Sequence, residues 1–463
     1  MTAVRDLSQI IKAYDVRGVY PDQLDAELAE RVGAAFARVV GASRSAGGPG
    51  AVVVGRDMRP SGPELVAAFC AGVTGQGVDV VDIGLASTDE LYFAAGHLDL
   101  PGAMFTASHN PARYNGIKMC RAGATPVGQE SGLAEIRDIV AAPVPPSGDP
   151  PGTVSHRDLL ADYAAFLHSL VDLSGMRPLR VVVDAGNGMA GHTAPAVLAV
   201  PGLSVVPLYF ELDGTFPNHE ANPIEPENLR DLQAAVLAEG ADLGLAFDGD
   251  ADRCFLVDEL GALVSPSALT GLIAVRELAK HPGAPIIHNL ITSAAVPEVI
   301  RENGGVPVRT RVGHSFIKAR MAQTGAVFGG EHSGHFYFTD FWRADSGMLA
   351  ALHTIAALGD APDGTTLSVL LAPYQRYVAS GEVNSVVADQ ARATDRVRAA
   401  FADEPGVSFD DLDGLTVTGP DWWFNVRPSN TEPLLRLNAE ARDAAAMGAL
   451  RDRVLGLIRA EQP

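Results

Sequence analysis

Apolar runs closed by turn residues recur along the chain in three similar rounds. The first contains A-V-V-V-G-R-D at 51–57, V-D-V-V-D-I-G at 78–84 and G-A-M-F-T-A-S-H-N-P at 102–111. The second contains R-V-V-V-D-A-G-N-G at 180–188, L-S-V-V-P-L-Y-F at 203–210 and A-D-L-G-L-A-F-D-G-D at 241–250. The third contains P-I-I-H-N-L at 285–290, V-P-V-R-T-R-V-G at 306–313 and G-A-V-F-G-G-E-H-S-G-H at 325–335. Between the runs lie Ala/Leu-rich segments with helical spacing, such as 226–240 and 293–303. Strands alternating with helices predict an α/β fold with parallel or mixed sheets covered on both faces. Each round ends in an unusual polar loop. Ligands of such sheets bind beyond the carboxyl ends of strands, so three equivalent loops are expected to line one cleft.

The pattern changes in the tail. W-W-F-N-V at 422–426 and L-L-R-L-N-A-E at 434–440 read as strands joined by R-P-S-N-T-E-P, and a helical pattern follows at 442–460. Pro/Gly-rich chain at 141–152 and the region near 370–376 read as linkers. The expected division is three similar α/β domains at 1–150, 151–256 and 257–372, then a smaller α+β domain at 373–463. The 463 residues suit this organisation, being about three times a usual domain length of roughly 150.

The formal charge of −21 argues against affinity for nucleic acid or anionic membrane. It does not exclude a small anionic substrate, because a few local arginines and a metal can dominate a cleft. The three cysteines, Cys70, Cys120 and Cys254, form no C-x-x-C, which disfavours a disulfide framework or a structural zinc site. The opening residues lack the apolar run of a signal peptide, and prolines interrupt the apolar stretch at 191–210. A cytoplasmic location is expected.

Chemistry concentrates in the loops. Asp248, Asp250 and Asp252 alternate in D-G-D-A-D-R, directly after L-G-L-A-F. Carboxylates at that spacing in a turn can converge on a hard divalent cation, which relieves their mutual repulsion. A calcium EF-hand requires Gly at loop position six, where Arg253 stands, and helical rather than β-like flanks. A solvated acidic turn is the simpler alternative. Ser108, in T-A-S-H-N-P, is either a helix cap or a nucleophile, and the latter needs activation by a base, metal or charge cluster. Arg427, Ser429, Asn430 and Thr431 supply the donors a phosphate dianion needs, although an ordinary hairpin loop fits too. Glu331, Ser333 and His335 in G-E-H-S-G-H offer groups for sugar hydroxyls, against the alternative of a flexible glycine-rich turn. His314 in V-G-H-S is either structural or a positioning or proton-transfer group.

These four loops, in this order and one per domain, resemble the α-D-phosphohexomutase family over nearly the whole chain. The resemblance implies three related α/β domains, a smaller fourth domain and a central cleft. It implies that Ser108 carries a phosphoryl group, that Asp248, Asp250 and Asp252 hold Mg²⁺ together with that serine, and that Arg253 lies near the transferred group. It further implies sugar contacts for Glu331 and Ser333, and a distal phosphate loop for Arg427, Ser429, Asn430 and Thr431. Tyr14 and Arg17, in K-A-Y-D-V-R-G, match another active-site segment. Lys118 and His335 are candidates for proton transfer or charge stabilisation, and His314 for positioning the sugar.

The implied substrate is a hexose phosphate, with hexose 1,6-bisphosphate as intermediate and activator and no obligate protein partner. G-E-H-S-G-H is closer to phosphomannomutases, and to enzymes serving both mannose and glucose phosphates, than to phosphoglucosamine mutases or dedicated phosphoglucomutases. One departure stands out: Leu290 occupies a position where many relatives have lysine. Two rivals come from other classes. One is a haloacid-dehalogenase-type phosphatase using Asp248, disfavoured because Ala251 and Asp252 depart from its D-x-D-G-T pattern. The other is a non-catalytic sugar-phosphate binding protein.

Overall fold

The structure, a computed structural model, describes residues 6–12, 14–43, 47–428 and 434–460, without the side chains of residues 314 and 315. The chain forms two compact units. The first comprises Met1–Val264 and Ser333–Leu370, the second Ser265–His332 and Leu371–Pro463.

The first unit contains two mixed sheets. In one, the strands run in the order Val16–Val19, Tyr114–Arg121, Gly102–Phe105, Ala51–Arg56, Asp79–Leu85 and Val154–His156. Ala51–Arg56 lies parallel to both neighbours, and its four central residues are buried. That burial on both faces is why V-V-V-G reads as a continuous run rather than an alternating one. The core beneath joins Val52, Val54 and Phe105 to Phe36 and Phe69 of the flanking helices. The other sheet has the order Leu263–Val264, Cys254–Asp258, Leu243–Phe247, Leu179–Asp184 and Leu203–Leu208.

Both sheets share a feature that positions the chemistry. Gly102–Phe105 continues into an antiparallel return strand, Tyr114–Arg121, which places Met104 opposite Lys118. Leu243–Phe247 likewise returns as Cys254–Asp258, with Phe247 opposite Cys254. The loops carrying Ser108 and the three aspartates are therefore hairpin tips held by two strands each. The rest of this unit includes the antiparallel pair Phe336–Phe338 and Ala344–Asp345, then the wholly buried helix Gly347–Gly359, whose N-cap Ser346 accepts from the Leu349 N–H.

In the second unit, Pro285–Asn289 lies between Val306–Thr310 and Phe328–Gly330, all parallel. A separate antiparallel sheet follows the order Val378–Val386, Leu434–Ala441, Trp422–Pro428, Leu415–Thr418 and Ser408–Asp410. Its apolar face buries Val417, Phe424 and Leu437 against Val397 and Phe401 of the helix Gln390–Phe401 and Val454 and Ile458 of the helix Ala444–Arg459. The expected α/β architecture with a C-terminal α+β portion is thus present. Among the described residues, no helix is long and apolar enough to cross a membrane.

Candidate active site

Ser108 has a φ of 50°, in the left-handed region that β-carbons disfavour. Its N–H donates to Thr106 Oγ1 at 2.8 Å, and its carbonyl accepts from Arg59 Nη2 at 2.8 Å. Arg59 is fully buried. It also donates to Asp57 and to the carbonyls of Asn110, Pro111 and Tyr114, so one guanidinium braces the whole serine loop. From the other hairpin, Gly249 packs so closely that a Cβ there would lie 2.4 Å from the Ser108 carbonyl oxygen. Only glycine permits that approach.

The result is a dense polar cluster. Ser108 Oγ donates to Asp248 Oδ2 at 2.6 Å, and Arg253 Nε donates to the same oxygen at 2.9 Å. Arg253 Nη2 lies 3.4 Å from Ser108 Oγ and 2.5 Å from His109 Nδ1. Lys118 Nζ donates to Asp250 Oδ2 at 2.7 Å and Asp252 Oδ2 at 2.6 Å. His335 Nδ1 lies 2.9 Å from Asp345 Oδ2 and 3.8 Å from Asp252 Oδ1, while the backbone beside it bridges to Arg253. Arg17 reaches the serine loop through Nη1, which donates to Asn110 Oδ1 at 2.6 Å.

Burial pushes the Asp248 carboxyl up to about 7 despite Arg253, with Asp250 and Asp252 reinforcing the rise. Burial acts on Asp250 in the same sense, but Lys118 more than offsets it and holds that carboxyl below the usual range. Burial opposes the charge of Lys118, yet the two carboxylates raise its pKa well above the ordinary value. His109 is pushed down to about 2 by burial, then by Arg253 and Arg17. It is a neutral acceptor here.

The donor set fits a hard divalent cation. Asp248, Asp250 and Asp252 are essentially unexposed, and the ligand atoms they offer lie within 4.8 Å of one another. Among the described residues, Oδ1 of both Asp250 and Asp252 is buried with no hydrogen-bond partner, an arrangement that costs energy unless a cation uses it. The three carboxylates meet two cationic side chains, Lys118 and Arg253, at hydrogen-bonding distance, which leaves negative charge in excess.

In the second unit, Arg427 occupies the last strand before the R-P-S-N-T loop. It pairs with Glu382 at 3.3 Å and lies 3.9 Å from Asp413. Burial depresses its pKa, partly offset by Asp413 and Glu382. Its buried Nη1 has no hydrogen-bond partner among the described residues, so one donor is available to an oxyanion. Glu331 Oε1 accepts from the Gly313 N–H at 3.2 Å and from Asn289 Nδ2 at 3.4 Å.

Sequence comparison places this geometry. Four models of the phosphoglucomutase/phosphomannomutase family match in series: alpha/beta/alpha domain I at residues 8–144, domain II at 161–261, domain III at 266–377 and the C-terminal domain at 382–457. A protein from Escherichia coli named phosphomannomutase is 40% identical over 459 residues, covering 97% of this chain and 98% of its own length. The chain belongs to the phosphoglucomutase/phosphomannomutase family. Within the family it is similar to a Xanthomonas campestris protein named phosphohexose mutases, 41% identical over 97% of this chain and 98% of that one. A solved family member from Burkholderia thailandensis superposes with a TM-score of 0.87 at 36% identity, covering 98% of both chains.

Of the residues anticipated from sequence, Ser108, Lys118, Asp248, Asp250, Asp252, Arg253 and His335 gather in this cluster, and Arg17 adjoins it through Asn110. Tyr14 is half-buried, as is Ser333. Glu331 and Arg427 belong to the second unit, where Glu331 is among the charges acting on Arg427. Ser429, Asn430 and Thr431 lie outside the described residues, as does the side chain of His314. Leu290 is buried, as befits an apolar residue there.

Sequence reasoning missed Arg59, Thr88 and Asp345. Thr88 Oγ1 donates to Asp250 Oδ2 at 2.6 Å. Asp345 lies ten residues beyond His335, the second histidine of the G-E-H-S-G-H motif, and pairs with it, a contact that the short strand pair creates.

Proposed function

We propose that the protein is a phosphohexomutase that interconverts mannose 6-phosphate and mannose 1-phosphate through phospho-Ser108, with glucose phosphates as further substrates. The observation that carries this reading is Ser108 Oγ, 2.6 Å from Asp248 in a buried ring of carboxylates and cations. The mannose preference draws on the relative named phosphomannomutase and on the G-E-H-S-G-H loop.

In the forward step, the Oγ–P bond of phospho-Ser108 breaks as a bond forms from that phosphorus to a sugar hydroxyl oxygen. Hexose 1,6-bisphosphate is the product. The hydroxyl proton passes to a base, for which His335 is the candidate, while Lys118, held protonated by Asp250 and Asp252, stabilises charge. The bisphosphate then turns round, and Ser108 Oγ bonds to its other phosphorus as the bond from that phosphorus to the sugar oxygen breaks; the base returns the proton to that oxygen. Arg253 donates to the oxygen that carries the group, and its guanidinium balances charge developing there. Arg427, with Ser429, Asn430 and Thr431, grips the phosphate that is not reacting, and Glu331 and Ser333 take sugar hydroxyls. Tyr14, Arg17 and His314 help hold the substrate.

A Mg²⁺ held by Asp248, Asp250, Asp252 and the Ser108 oxygen would withdraw charge from the phosphoryl group. The divalent charge matters because a phosphoserine dianion brought beside three carboxylates is otherwise strongly opposed. The four family domains are assigned the bounds 1–150, 151–256, 257–372 and 373–463, and the protein a cytoplasmic location.

The test is a comparison of kcat/KM for mannose, glucose and glucosamine 1-phosphates, with Mg²⁺ and an activating bisphosphate present. The mannose substrate is expected to lead, with glucose second. Preference for glucosamine phosphate would replace the substrate assignment. Net release of inorganic phosphate without bisphosphate would replace the mutase by a phosphatase.

A further inference from the structure

The S-T-D-E segment at 87–90 opens the helix Thr88–His97, with Ser87 as N-cap accepting from the Glu90 N–H. Such a pattern ordinarily marks an exposed helix start. Here all four residues are buried. Thr88 meets Asp250 twice: its N–H donates to the Asp250 carbonyl at 2.9 Å, and Oγ1 donates to Oδ2 at 2.6 Å. Lys118 uses that same Oδ2, which leaves Oδ1 of Asp250 buried and unpartnered among the described residues.

We propose that Thr88 is a positioning residue for the cation site, fixing the rotation of the Asp250 carboxylate so that Oδ1 is presented to the metal. The inference rests on the metal reading given above. A carboxylate turns about its last torsion, and a hydroxyl donating to one oxygen selects one orientation of the other. The backbone contact fixes where that hydroxyl starts from. The helix start is itself anchored by Asp89, whose carboxylate accepts from Ser87 Oγ, from Tyr163 Oη at 2.7 Å and from Ser346 Oγ at 2.6 Å. Tyr163 lies on the helix Leu160–Leu170, and Ser346 caps the buried helix Gly347–Gly359. Thr88 therefore projects from a frame joined to two other helices, and its hydroxyl has little freedom to follow a wandering carboxylate.

The experiment measures Mn²⁺ affinity of the full-length protein, without sugar phosphate, by electron paramagnetic resonance of the free ion. The variants are Thr88→Val, which keeps the shape, Thr88→Ala and Thr88→Ser. Thr88→Val and Thr88→Ala are expected to weaken Mn²⁺ binding by about 10–100-fold, and Thr88→Ser to stay within about threefold of wild type. At saturating Mn²⁺, KM for sugar phosphate should be unchanged in all three, which a general loosening of the fold would not allow. Should Thr88→Val not fold, Thr88→Ala carries the test. Wild-type affinity in a folded Val or Ala variant overturns the assignment of Thr88. A wild-type protein that binds no Mn²⁺ overturns the metal reading instead.

Discussion

Replacing Gly249 with alanine tests whether the two hairpin tips must touch. A Cβ at that position would lie 2.4 Å from the Ser108 carbonyl oxygen, whereas ordinary contact begins near 3.4 Å. The tips would therefore separate by about 1 Å, the difference between those distances. Neither side yields easily. The Ser108 carbonyl is held by Arg59 Nη2, and the Gly249 carbonyl accepts from the Met189 N–H at 2.9 Å. A shift of that size breaks the 2.6 Å contact between Ser108 Oγ and Asp248. Misplacement of reacting groups by about 1 Å costs on the order of 100-fold in rate, while local overpacking costs about 1–3 kcal/mol in stability. A coupled mutase assay beside thermal unfolding separates the two effects. Gly448 provides the control: it lies in the helix Ala444–Arg459 with nothing within 4 Å of its Cβ position. Gly448→Ala should keep full activity and gain about 0.5–1 kcal/mol. A folded Gly249→Ala enzyme with kcat/KM within about threefold of wild type would refute the reasoning, since about 100-fold is expected.

Arg427→Ala should raise KM for sugar phosphate by about 10–100-fold with kcat little changed, since a charge-assisted hydrogen bond is worth roughly 1.5–3 kcal/mol; an unchanged KM removes Arg427 from phosphate binding. Glu90 gives a pH prediction. Burial, then Asp89, pushes its carboxyl from 4.5 up to about 8. The folded state thus holds a proton that the unfolded chain loses first, and the stability this lends is complete below about pH 4.5 and lost as pH rises towards 8. By linkage the loss reaches roughly 5 kcal/mol. Glu90→Gln should flatten the fall of stability between about pH 6 and 8, and parallel wild-type and variant curves would contradict the assignment.

Much of the fold is legible because buried parallel strands must be apolar throughout. A-V-V-V-G-R, R-V-V-V-D and P-I-I-H-N all form strands where the runs predict them. The return strand Tyr114–Arg121 carries no such signal. Y-N-G-I-K-M-C-R mixes Asn115 and Lys118 with apolar residues because its polar groups serve the loops rather than the core. The three aspartates are legible from spacing alone, since a hairpin tip turns alternating carboxylates to one side. Arg59 is not: its partners are mostly carbonyl oxygens, which every residue possesses, so R-D-M-R-P carries no mark of a brace. The S-T-D-E segment announces a helix start but not its burial, because Tyr163 and Ser346 reach Asp89 from 74 and 257 residues away. Capping is local; the environment of a cap is not.

The central claim is that Ser108 carries the phosphoryl group, and peptide mass spectrometry after incubation with hexose 1,6-bisphosphate tests it most directly. One phosphoryl group should appear on the peptide containing Ser108, vanish when sugar monophosphate is added in excess, and be absent from a Ser108→Ala protein that has also lost mutase activity. A phosphoryl group found on another residue, or a Ser108→Ala protein that interconverts the sugar phosphates at the wild-type rate, would contradict it.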